Sequence, residues 1–174
     1  DVYKRQPQDL VMSSPPNVGG TITAHHLLYN RNHLLVGGIK PHFYCLPILK
    51  TEEDRKALLE AVRVCDRIFL GTDSAPHSIG AKESGCGCAG CYSSETALEL
   101  YAEAFEKAGM LERLEAFCSL NGPAFYGVPP NTARVTLMRE EWTVPDSIPY
   151  CDTVVVPFRG GTKLQWRLQG RHAA

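Results

Sequence analysis

The sequence has no excess of either charge. Its 18 Lys and Arg nearly balance 19 Asp and Glu, for a formal net charge of -1, and no basic run occurs. That balance argues against nucleic acid or an anionic membrane as the main partner. No apolar run approaches the roughly 18 residues that a membrane span requires. A charged-then-apolar leader and an initiator Met are also missing from the start. There is no G-x-x-x-x-G-K-[ST] loop and no G-x-S-x-G elbow, which sets aside P-loop enzymes and elbow-type hydrolases. Internal repeats are absent. The 174 residues also fall short of the roughly 200 needed for a complete (β/α)₈ barrel.

What is present is an ordinary globular composition, 44% hydrophobic and 21% charged. The seven cysteines are an odd number, and an apolar core of this size needs no disulfide staples, so reduced thiols and a cytoplasmic setting are expected. Residues 1–6 resemble a translated transposon end from library preparation, and are expected to be foreign. Residues 7–17, rich in Pro and Ser, read as a loop.

Beyond Gly19-Gly20 the pattern alternates between strands and helices. Thr21-Ile22-Thr23-Ala24 is β-branched and reads as a strand ending in His25-His26. Residues 42–46 read as a second strand closed by Pro47. Thr51 and Asp54 form a capping box ahead of Leu58, Val62 and Cys65 at helical spacing, which predicts a helix over 51–65. The continuous apolar run at 67–73 suits a strand covered on both faces. Ser94 is expected to cap a helix whose Leu98, Tyr101, Phe105 and Ala108 share a face, with Gly109 as its stop. A further helix from Leu111 is expected to stop at Asn121-Gly122-Pro123. Strand-like runs follow at 134–138, 153–156 and 163–168. This order predicts βα units and a parallel sheet.

In such architectures chemistry sits at the carboxyl ends of strands. His26 and Asp73 each close a strand, and imidazole and carboxylate are both zinc donors. The competing readings are a hydrogen-bonded core histidine for His26 and a turn cap for Asp73. His25 and His33, beside the first of these ends, read as structural or supporting groups. Gly85, Gly87 and Gly90 fit G-x-G-x-x-G but do not directly follow a strand, so the dinucleotide reading fails. Cys86, Cys88 and Cys91 could form a zinc knuckle, although paired C-x₂-C spacing and a clear fourth ligand are missing. The alternative is a tight loop whose amides face an anionic ligand. Lys82 and Glu83 read most simply as solvated charges.

Several of these segments together resemble one family closely. They are His25-His26-Leu27-Leu28-Tyr29-Asn30-Arg31-Asn32-His33, Leu70-Gly71-Thr72-Asp73-Ser74-Ala75-Pro76-His77, Lys82-Glu83-Ser84 through Cys91, and Asn121-Gly122-Pro123 with Phe125-Tyr126-Gly127. From Asn17 onward the chain resembles the dihydroorotases of the bacterial and fungal homodimeric type.

The resemblance implies an α/β fold: the last three strands and helices of a (β/α)₈ barrel over 7–130, incomplete as it stands, with a C-terminal extension over 131–174. It implies a cytoplasmic, homodimeric enzyme of pyrimidine synthesis that interconverts (S)-dihydroorotate and N-carbamoyl-L-aspartate with two zinc ions per site. His26 and Asp73 would be metal ligands, with Asp73 also the catalytic acid/base. Leu46, His77 and Ala89 would bind substrate, Leu46 and Ala89 largely through main chain. In that mechanism a metal-activated water attacks the ring amide carbonyl, and Asp73 delivers its proton to the departing nitrogen. The family's His-x-His, its carboxylated Lys, a further His ligand, and an Arg and Asn for substrate have no counterpart here. This chain alone is therefore expected to be inactive and poorly folded. Two readings compete: another cyclic amidohydrolase of hydantoinase or allantoinase type, and a non-catalytic module holding zinc at Cys86, Cys88 and Cys91.

Overall fold

A computed structural model describes residues 7–172, so the segment at 1–6 expected to be foreign lies outside the described residues. The Pro-rich start is not all loop. Helix α1 spans Pro7–Ser13 because Pro suits a first helical position, and its Val11 is buried. Strand β1 (Gly20–Ile22) leads straight into the short helix α2 (Ala24–Leu28), whose N-cap Thr23 accepts from the His26 amide. Helix α3 (Glu52–Val64) begins at the expected capping box, in which the Thr51 amide and hydroxyl both donate to Asp54 at 2.9 Å. Strand β2 (Ile68–Leu70) then pairs parallel with β1, Gly20 opposite Ile68 and Ile22 opposite Leu70. Gly71 lets the chains close up here: a Cβ on it would lie 2.4 Å from the Thr21 Cβ.

Among the described residues the parallel sheet has two strands, not three. The segment at 42–46 is not a strand: a 3₁₀ turn covers Pro41–Phe43, and the Leu46–Pro47 peptide is cis. Pro41 and Pro47 remove amide donors at its two ends, and Tyr44 makes its cross-links to a loop instead of a ladder.

After the four-residue helix α4 (Ile79–Lys82), helix α5 (Ala97–Lys107) is the centre of the core. A 3₁₀ turn at Ser94–Thr96 precedes it, so Ser94 is not its cap. Leu100, Tyr101 and Phe105 are fully buried, and Tyr101 is tied to both parallel strands. Its hydroxyl lies 2.8 Å from the Ile22 carbonyl of β1 and 3.2 Å from the carbonyl of Gly71, which follows β2.

Gly109 adopts a left-handed conformation just beyond α5. Asn121-Gly122-Pro123 starts helix α6 (Asn121–Tyr126) and does not stop one; the chain turns only at Gly127, whose φ is 66°. Pro123 sits within the first turn of α6, where a missing amide costs nothing.

The C-terminal segment forms three small antiparallel pairs. Strand β3 (Arg134–Met138) pairs with β8 (Arg167–His172), β4 (Trp142–Thr143) with β7 (Lys163–Leu164), and β5 (Ile148–Tyr150) with β6 (Thr153–Val155). The run expected at 163–168 is therefore divided between two strands. This segment completes the core by burying Val144, Phe158 and Leu164. It is also clamped to α5 by two buried carboxylates. Glu99 accepts from the Leu168 amide at 3.1 Å and Glu103 from the Gln165 amide at 2.9 Å. No helix among the described residues is long and apolar enough to cross a membrane.

Candidate active site

A cleft of about 480 Å³ runs along β1 and β2, from Gly20 and Ile68 to the residues that follow the two strands, and both His26 and Asp73 line it. Ile22, Ile68 and Leu58 supply apolar wall, and Lys50 a cation. His26 reaches it from the first turn of α2. Its Nδ1 lies 2.7 Å from the Thr23 hydroxyl and its Nε2 2.8 Å from the Pro47 carbonyl. Burial, then the neighbouring His25, pushes the His26 pKa below its ordinary value. Asp73 lies three residues beyond β2 with φ at 43°, a left-handed backbone that turns the chain out of the sheet. Its carboxylate favours the protonated form of His26 and only partly opposes the burial.

Behind His26 is a buried group that sequence spacing does not reveal. His25 is fully buried, and neither of its ring nitrogens has a hydrogen-bond partner among the described residues. His25, His26 and Cys45 place their donor atoms within 4.8 Å of one another. The adjoining Cys91 thiol draws the Cys45 pKa down, while Cys45 and burial push that of Cys91 up. Phe158 from the C-terminal segment packs on this group, its ring 5.6 Å from His25 and 4.6 Å from Phe43. No local pattern around Phe158 marks it as a neighbour of this buried group.

Leu46, His77 and Ala89 do not line the cleft, although Pro47 does. His77 and Ala89 are together: His77 Nε2 lies 3.2 Å from the Ala89 carbonyl. The Gly90 amide donates to the Tyr44 carbonyl at 2.9 Å, which places the loop carrying Ala89 beside the segment leading to Leu46. Gly90 is required here. Its φ is 152°, and a Cβ would sit 2.8 Å from the Ala75 carbonyl oxygen.

The described residues do not gather the cysteine loop's thiols as a zinc knuckle would. Cys86 is exposed, Cys91 is buried, and among the described residues they form no three-donor group with Cys88. Lys82, expected to be solvated, is 3% exposed and makes three hydrogen bonds, while Glu83 does face solvent and pairs with His42 at 3.0 Å. His33 is structural, completing a capping box with Asn30.

His26 and Asp73 line one cleft, and imidazole and carboxylate are both donor types that a zinc ion accepts. The Pro47 carbonyl can only accept, so in this structure Nε2–H donates to it and Nδ1 of the neutral ring accepts from the Thr23 hydroxyl; a metal at Nε2 would need the other tautomer.

No protein-family model matches the chain. Curated relatives do. It is 63% identical over 159 residues to the dihydroorotase of Pseudomonas aeruginosa (strain UCBPP-PA14), covering 91% of this chain and 46% of that protein. To the dihydroorotase of Nitrosococcus oceani it is 59% identical over 161 residues, 92% of this chain and 47% of the relative. Among solved structures, dihydroorotase from Saccharomyces cerevisiae in complex with 5-fluoroorotic acid matches 96% of this chain and 48% of its own, with a TM-score of 0.84 at 31% identity. Dihydroorotase from Campylobacter jejuni matches 94% and 48%, with a TM-score of 0.82 at 32% identity. All four are dihydroorotases, which disfavours the hydantoinase-like and zinc-module alternatives. The chain spans about half the length of the relatives it matches. In sequence and in fold alike, the chain matches about half of a dihydroorotase.

Proposed function

We propose that this chain furnishes part of a dihydroorotase active site, working in a protein of its relatives' length on (S)-dihydroorotate and N-carbamoyl-L-aspartate. The observation that carries this reading is that His26 and Asp73 face one cleft, in a chain about 60% identical to dihydroorotases. His26 and Asp73 would hold zinc, two ions per site in the complete enzyme, with the Pro47 carbonyl giving up its contact at Nε2. Zinc when bound supplies Lewis acidity, making water more acidic and polarising the amide carbonyl.

The chain's own groups do the rest. Asp73 takes a proton from water and delivers it to the ring nitrogen as the C–N bond opens, and ring closure reverses the path. His77 and the main chain at Leu46 and Ala89 hold the substrate, while the apolar cleft wall excludes bulk water. Residues 7–130 form the barrel portion of this reading and 131–174 an extension. A cytoplasmic homodimer is part of the same reading, supported by the family relationship.

The test is a chimera in which the Pseudomonas aeruginosa relative supplies the remaining length. It should hydrolyse dihydroorotate, and the 174-residue chain alone should not. Asp73→Asn should lower kcat by on the order of 10²–10⁴-fold while substrate still binds. Unchanged turnover in that variant, or a chimera that prefers hydantoin, would overturn the reading.

A further inference from the structure

Lys82 closes helix α4 and turns inward. Its ammonium donates to the carbonyls of Tyr44 at 3.0 Å, Cys88 at 2.7 Å and Gly90 at 2.8 Å. An ammonium has three donors, so none remains for a substrate or a second site. A cation 3% exposed would be costly without such partners, and among the described residues no carboxylate accepts from it.

The three acceptors belong to two irregular segments: Tyr44 follows the 3₁₀ turn at Pro41–Phe43, and Gly90 precedes Cys91, which bridges to Ser74. Cys88 and Gly90 flank Ala89, and Tyr44 stands two residues before Leu46. With the carbonyls on either side bound to one ammonium, the peptide orientation at Ala89 is set from both ends. Its own carbonyl lies against His77 Nε2. The Tyr44 carbonyl takes both the Lys82 ammonium and the Gly90 amide, so the two segments share a single anchor.

We propose that Lys82 is a positioning residue that pins the cysteine-rich loop to the Tyr44–Leu46 segment, so that the main chain at Ala89 and Leu46 meets the substrate in one fixed register. This inference rests on the dihydroorotase reading for its substrate, but the pin itself is a property of the fold. Lys82 touches no reacting atom. Its loss should weaken substrate binding more than the chemical step.

In the chimera, Lys82→Met should raise the KM for dihydroorotate about tenfold and change kcat less than about threefold. Amide exchange at Gly90 should quicken about tenfold, because its acceptor segment is released. Lys82→Arg keeps the charge but spreads its donors in a plane, and should recover part of the KM. A merely structural role would instead reduce the active fraction, lowering kcat at unchanged KM, and that result would overturn the proposal. So would unchanged Gly90 exchange in a folded Lys82→Met protein. If Lys82→Met does not accumulate folded, Lys82→Arg with wild-type KM and exchange would overturn it, and raised values of both would support it. An unmutated chimera without dihydroorotate turnover counts against the functional reading alone, and Gly90 exchange then still decides whether Lys82 is the pin.

Discussion

Glu103→Ala should cost about 3 kcal/mol of stability, far more than an ordinary surface substitution. The Glu103 carboxylate is 2% exposed and accepts from Arg159 at 2.7 Å and from the Gln165 amide at 2.9 Å. Removing one partner of a buried pair costs about 3–5 kcal/mol. Arg159 keeps contacts to the Thr162 hydroxyl and the Lys163 carbonyl, which lowers that figure. The orphaned Gln165 amide adds about 1 kcal/mol back. Lys107, 67% exposed, contributes little.

Urea unfolding of the chimera would measure this, with Arg159→Ala and the double variant closing a cycle whose coupling should be about 2 kcal/mol. A coupling below about 0.5 kcal/mol would refute the clamp between α5 and the C-terminal segment. The pH dependence supplies a second check. Burial pushes the Glu103 carboxyl up, but the Gln165 amide, Arg159 and Lys107 outweigh it and hold the pKa below its ordinary 4.5. A depressed carboxyl stabilises the fold above its unfolded pKa, and that contribution is lost as pH falls through the folded value. The gap between wild type and Glu103→Ala should therefore be full near neutrality and narrow below about pH 4.5.

Two further outcomes follow from particular contacts. Tyr101→Phe leaves the Ile22 and Gly71 carbonyls without their buried donor and should cost about 1–2 kcal/mol in urea unfolding, with the KM of the chimera unchanged. A neutral effect would show that these carbonyls find other partners. Gly90→Ala forces a Cβ against the Ala75 carbonyl at a φ of 152°, a strain of about 1–3 kcal/mol placed in the loop that carries Ala89. It should raise the KM for dihydroorotate, and a wild-type KM would show that the loop's position is unimportant.

Local features are legible in the sequence where a single element carries the signal. The Thr51–Asp54 capping box marks α3 because its hydrogen bonds close within one turn. β1 and β2 show as β-branched and apolar runs, and the cleft brings together the two residues their ends point to. The segment at 42–46 has the composition of a strand, but pairing needs a partner, and its neighbour here is a loop held by Lys82 and Gly90. Asn121-Gly122-Pro123 looks like a stop because Gly and Pro are helix breakers in an interior, yet at a helix start Pro is tolerated.

The sequence by itself determined the near-neutral charge, the capped start of α3, the strands β1 and β2, and the pair His26 and Asp73 that follows them. These features depend on residues close together in the chain, or on motifs that stay recognisable in isolation. Tertiary structure alone decided what surrounds them. Lys82, Glu99 and Glu103 have the composition of surface residues, but each is buried because distant backbone supplies its partners. The near-balance of charge at the outset therefore conceals charges of two kinds. Most face water, and a few inside hold irregular segments in place, a role that only partners far along the chain can confer.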